Sequence, residues 1–142
     1  MESKPKRILI ADDEPDILEI VSYNLTNEGY EVYTAKNGDE AIERAKQLNP
    51  DLIILHTALT NEVSFEINLE QGILPLQKII RQANNTSQHP KICVVTNGAF
   101  ILQQNTSANL NAATLIGVLR TLENEHEEIN FLQIDVTKEY TP

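Results

Sequence analysis

Pro50-Asp51-Leu52-Ile53-Ile54-Leu55-His56 is the stretch whose reading decides the fold. A proline that cannot continue a helix precedes an unbroken apolar run, and a loop-like stretch over 56–62 follows it. A strand with one wet face alternates apolar and polar residues. A continuous apolar run over 52–55 instead predicts a strand buried on both faces. Such strands belong to parallel sheets, which carry helices on either side.

Outward from that strand, helical and strand patterns alternate. Asn37-Gly38-Asp39 turns into a helix with Ala41, Ile42, Ala45 and Leu48 on one face, halted by Asn49-Pro50. Before it, 30–34 reads as a strand, and Gly29 stops a helix carrying Ile17, Leu18, Val21 and Leu25 at helical spacing. Pro15 sits in that helix's first turn, with Asp13 as its expected cap. The first strand is 7–11. Downstream, a helix is expected within 65–83, with Pro75 either kinking it or marking its start. A fourth strand at 92–96 precedes an amphipathic helix over 108–125, whose apolar face is Leu110, Leu115, Val118, Leu119 and Leu122. A fifth strand spans 129–136. This predicts an α/β fold, a flavodoxin-like three-layer sandwich with a five-stranded parallel sheet in the order 2-1-3-4-5. It is expected to be a single domain over 1–142. The chain ends within six residues of the fifth strand, so no last helix is expected. The sheet face beside the first helix is then under-covered, which favours self-association into a homo-oligomer or a partner.

Composition narrows the function classes. The net charge of −10 disfavours nucleic acid as a partner. No apolar run approaches membrane-spanning length and the charged start is no signal peptide, so a cytoplasmic location is expected. Cys93 is the single cysteine, which excludes an intrachain disulfide and reads as a small buried apolar group. Lys4, Lys6 and Arg7 read as a solvated lead-in to the first strand. Beyond about residue 60 the chain turns from acid- and lysine-rich to Asn/Gln-rich, as in Gln82-Ala83-Asn84-Asn85 and Gln103-Gln104-Asn105.

Residues 6–55 resemble a response-regulator receiver domain of the class that controls winged-helix transcription factors. The residues that carry this are Arg7-Ile8-Leu9-Ile10-Ala11-Asp12-Asp13-Glu14-Pro15-Asp16-Ile17, Glu28-Gly29-Tyr30-Glu31-Val32, Asn37-Gly38-Asp39-Glu40-Ala41 and Pro50 through Leu55. The resemblance implies Asp13 as a direct Mg²⁺ ligand, with Asp12 helping through water. It also implies an aspartate, the phosphoacceptor, where His56 stands. Thr96 and Lys138 lie roughly where a receiver keeps its switch hydroxyl and its lysine, yet their surroundings do not match. The second half, about 54–136, resembles the structural subdomain of a polyketide synthase ketoreductase. Leu74-Pro75-Leu76-Gln77-Lys78-Ile79-Ile80, Pro90 through Ala99 and Leu115 through Val136 carry it. That family's strand commonly ends in an apolar-His run like Leu55-His56. The two resemblances imply a chimera, more readily engineered than natural, with a receiver-like half over about 1–55 and a ketoreductase-like half over about 56–137.

The chemistry expected of such a chain is thin. There is no Gly-x-Gly-x-x-Gly, no Walker loop and no nucleophile elbow, so no catalytic residue, bound cofactor or enzyme activity is expected. Asp12 and Asp13 form a vestigial metal site, with at most weak Mg²⁺ binding. An imidazole at position 56 would soften that site toward Zn²⁺ or Ni²⁺, the lesser reading. Unpaired, the adjacent carboxylates repel, so Asp12→Ala is expected to raise the melting temperature. Three readings stand: an inert scaffold, a phosphorylation-independent pseudo-receiver that binds proteins, and an inactive ketoreductase-derived fragment.

Overall fold

The structure is a computed structural model that describes residues 3–56, 64, 66, 69–85, 89–97 and 110–136. Its elements are β1 (Arg7–Ala11), α1 (Pro15–Asn27), β2 (Glu31–Ala35), α2 (Gly38–Leu48), β3 (Leu52–His56), a π-helical turn (Leu69–Ile73), α3 (Leu74–Asn84), β4 (Lys91–Asn97), α4 (Leu110–Glu125) and β5 (Phe131–Val136). The strands form one sheet in the order β2-β1-β3-β4-β5. Every neighbouring pair is parallel, as the run at 52–55 predicts. Lys138, the loop over 57–62 and Gly98 lie outside the described residues.

Local chemistry explains the boundaries. Gly29 takes φ 94, a left-handed conformation that favours glycine, and its N–H donates to the Thr26 carbonyl at 3.0 Å to close α1. At the start of α2 the Glu40 N–H donates to Asn37 Oδ1 at 2.8 Å, while Glu40 Oε2 accepts from the Lys36 N–H at 2.9 Å. This reciprocal pair satisfies two donors at the helix entrance. Asn49, at φ 46, ends α2 before Pro50. The question at Pro75 resolves in favour of a start: α3 begins at Leu74, and Pro75 sits in its first turn, where a missing N–H costs little. A Cβ built on Gly38 would lie 2.4 Å from the Pro75 Cβ, so only glycine lets α2 and α3 approach this closely.

Two sequence expectations need correcting. Asp13 does not cap α1: Glu14 is the N-cap residue, without a side-chain cap, and its N–H donates to Asp12 Oδ1 at 2.9 Å. The shorter reach from Asp12, already fixed at the strand end, takes the bond. Arg7 is also more than solvated lead-in. Its N–H donates to Asp51 Oδ2 at 2.8 Å, its Nη1 donates to the Leu48 carbonyl at 2.7 Å, and its Nε lies 3.7 Å from a Glu31 oxygen. One side chain thus ties β1 to the end of α2 and to β2.

The two faces of the sheet are built unequally. One carries α2, α3 and α4 over a core that runs from Ala35 and Leu9 through Ile53, Ile92 and Val94 to Phe131, joined by Ile79, Ile80 and Leu119. Among the described residues the other carries α1, with Leu18, Val21 and Leu25 on Ile8, Ile10, Val32, Leu52 and Ile54. That second core holds no described residue of β4 or β5. Cys93 packs as a buried apolar group, as expected, and burial pushes its thiol pKa up. On β5 every second residue is exposed: Leu132 at 55 %, Ile134 at 45 % and Val136 at 47 %. No helix among the described residues is long and apolar enough to cross a membrane.

Candidate functional site

Open parallel sheets present side chains at the carboxyl ends of their strands. Here Ala11 pairs with Leu55 across β1 and β3, so Asp12 and His56, one residue further along, emerge side by side. Asp12 is fully enclosed, with a side-chain exposure of 0 %, and His56 is nearly so at 16 %. His56 Nδ1 lies 2.5 Å from Asp12 Oδ2. With Asp12 ionised, Nδ1 carries the proton and donates it, a charge-assisted hydrogen bond in a dry setting. The other oxygen of Asp12 accepts from the Glu14 N–H, and the Asp12 N–H donates to the Ala35 carbonyl at 3.1 Å. Both oxygens of Asp12 therefore have protein partners.

The two adjacent acids sit in different surroundings. Asp13 is exposed, whereas Asp12 turns inward to an imidazole. The donor set also fits Mg²⁺ poorly. That ion wants carboxylate and water oxygens in octahedral array, but one carboxylate is engaged by protein donors and an imidazole stands beside it. No cluster of three or more His, Cys, Asp or Glu suited to a metal occurs among the described residues.

The same strand ends open into a cavity of about 490 Å³. Its polar wall includes Asp12, Asp13, His56, Lys36 and Lys78, with Gly38 at the start of α2. Sequence reading places no helix N-terminus or basic group near His56, because Lys36 and Lys78 reach it only through the fold. Lys78 lies 3.7 Å from Asp39, which moderates its charge, and Glu40 holds the Lys36 backbone N–H. That backbone N–H, aided by Arg44 and opposed by partial burial, holds the Glu40 carboxyl below its ordinary range.

Thr96 is not part of this group. It is buried on β4 opposite Asp135 of β5, and its hydroxyl donates to Asp135 Oδ1 at 2.8 Å. Strand alternation puts it on the face of Ile92 and Val94, while His56 shares the face of Leu52 and Ile54. Lys138 lies outside the described residues. The Asp12–His56 and Thr96–Asp135 pairs escape sequence reading. Each joins residues about forty positions apart, at 44 and 39, and only strand register brings them together.

A parallel sheet in the order 2-1-3-4-5, with acids after its first strand, is the layout of flavodoxin-like folds, and comparison with known proteins narrows the class. The family model of the response regulator receiver domain matches residues 8–116, and the chain belongs to that family. Over 62 residues it is 42 % identical to the alkaline phosphatase synthesis transcriptional regulatory protein PhoP of Bacillus subtilis (strain 168). That match covers 44 % of this chain and 26 % of PhoP, so the chain spans about a quarter of that relative. Among solved structures, the chemotaxis protein CheY4 of Vibrio cholerae is similar at TM-score 0.53 and 21 % identity, covering 98 % of this chain and 91 % of CheY4. A CheY-like receiver domain protein from Methanospirillum hungatei JF-1 reaches TM-score 0.56 at 19 % identity, covering 98 % and 86 %. A de novo designed Rossmann 2x3 fold protein reaches 0.53 at 18 %, covering 91 % and 78 %. These likenesses concern the fold. The family match extends past β3 and into the first half of α4.

Proposed function

We propose that this receiver domain takes up no phosphoryl group and is a folded scaffold without catalytic activity of its own. The observation that carries this reading is His56 at the end of β3, locked to Asp12 at 2.5 Å. The family resemblance expects a carboxylate there. An imidazole held by Nδ1 offers no acyl phosphate, and Asp12 is too enclosed and too fully bonded to replace it. Neither Mg²⁺ nor any other cofactor enters this reading.

Incubation with acetyl phosphate and Mg²⁺, followed by intact-mass measurement, tests it. No mass gain is expected. A stable gain of one phosphoryl group overturns the reading, and tandem mass spectrometry would locate the acceptor. His56→Asp in the same assay reports whether the remaining site can act once a carboxylate is restored.

A second reading, a pseudo-receiver that works by binding proteins, is favoured by the bare side of β5. As to ancestry, we infer a chimera joined within β3, with the second half drawn from a ketoreductase structural subdomain and engineering as its origin. The support is the change in composition near residue 60 and the apolar-His ending of β3. The family match crosses the proposed join and marks no seam there.

A further inference from the structure

Parallel strands are stable when helices cover both of their faces. β1, β2 and β3 meet that condition, with α1 on one side and the larger core on the other. β5 does not. Phe131 packs on the larger core, but Leu132, Ile134 and Val136 point the other way and stay about half exposed. By register they lie beside Cys93, Val95 and Asn97 of β4. The result is an apolar strip parallel to α1 and on the same face of the sheet.

The charge around this strip is one-sided. α1 carries Asp16 and Glu19 and no basic residue, and Asp13, Glu14 and Glu28 flank it. Glu127 and Glu128 precede β5, which has no lysine or arginine. Lys91, at the foot of β4, is the lone basic side chain on α1, β4 and β5 among the described residues. The chain as a whole carries −10. A second copy would bring the same acidic surround and the same excess charge, so self-association opposes its own electrostatics.

We propose that the exposed side of β5 docks an amphipathic α-helix of another protein. Its apolar stripe covers Leu132, Ile134 and Val136, and its lysine- or arginine-rich flank faces the acids of α1. A helix is the element that fits, because it packs onto a sheet beside α1 with its own backbone satisfied. The charge of this face selects its basic flank. This surface is independent of His56 and of the phosphotransfer reading.

The test uses the full chain and two synthetic helical peptides of roughly five turns, about 18 residues. Both carry the same leucine stripe, one with lysine flanks and one with glutamate flanks. Fluorescence anisotropy should show saturable binding of the lysine peptide, on the order of tenfold or more tighter than the glutamate peptide, and weakened by salt. NMR shifts should concentrate on β5 and α1. Ile134→Asp should abolish binding with an unchanged circular dichroism spectrum, and Leu132→Asn should weaken it should the first variant lose its fold. Equal binding of both peptides, no binding of either, or full binding by a folded Ile134→Asp overturns the proposal. So does a dimer in sedimentation that Ile134→Asp dissociates, since a second copy is then the occupant.

Discussion

The two faces of this sheet share a backbone but not a fate. On one, a single core crosses from β2 to β5 beneath three helices. On the other, the core stops at β3, where α1 no longer reaches. β1 and β5 show the contrast within one strand length. β1 is buried along four consecutive residues, whereas β5 alternates half-buried and exposed. A parallel strand does not carry its own burial; the helices packed on it do. Leu132, Ile134 and Val136 are as apolar as Ile8 and Ile10, and they stay wet because nothing described lies over them.

The comparison breaks most directly in the larger core. Leu119 of α4 is fully buried in it. Leu119→Ala should cost about 2–5 kcal/mol in urea denaturation, through lost burial and the cavity left behind. A cost below about 1 kcal/mol would mean that this face is loosely packed too and the contrast is false. Gly38→Ala tests the same face by overpacking. The new methyl would meet the Pro75 ring at 2.4 Å, and the ring is too rigid to swing aside. A loss of about 1–3 kcal/mol is expected.

On the thinner face, polar pairing does part of the work that packing does elsewhere. Asp12→Ala removes the acceptor of His56 and of the Glu14 N–H. It should destabilise the chain by about 1–3 kcal/mol, the cost of leaving an enclosed donor unpaired. This sign is opposite to that expected from two adjacent carboxylates alone. If the pair is what matters, His56→Ala added to Asp12→Ala should cost little more. A raised melting temperature for Asp12→Ala would restore the repulsion argument. Leu132→Ala, on the bare side of β5, should stay within about 0.5 kcal/mol of the parent. A larger loss would show that something covers that strand in solution.

Much of the fold is legible because its signals are local. The apolar run at 52–55 announces a central strand, Gly29 and Asn49-Pro50 end helices, and the alternation of elements leaves one strand order to prefer. The candidate site is legible only in part. That Asp12 and His56 end neighbouring strands follows from the pattern. That they touch, and that Asp13 turns away, depends on register and on which carboxylate reaches the Glu14 N–H first. Thr96 shows the limit more sharply. Its place at the end of β4 suggests a role beside His56, but strand alternation turns it to the opposite face and onto Asp135. Pattern gives the position along a strand; the partner comes from the neighbouring strand.

The smallest effect separates the entrances of α1 and α2. α1 begins without a side-chain cap on its N-cap residue, whereas α2 begins with the Asn37–Glu40 exchange. Glu40's carboxyl is held below its ordinary value of 4.5, first by the Lys36 N–H. A carboxyl with a depressed folded pKa binds its proton more weakly than in the unfolded chain. Its contribution is therefore complete above the ordinary carboxylate range and fades as pH falls through the folded value. Glu40→Gln should be less stable than the parent near neutral pH, and the gap should close in acid. Paired melting curves across that range would show it. A gap that stays constant with pH would assign the effect to geometry that glutamine disturbs and not to the charge of Glu40.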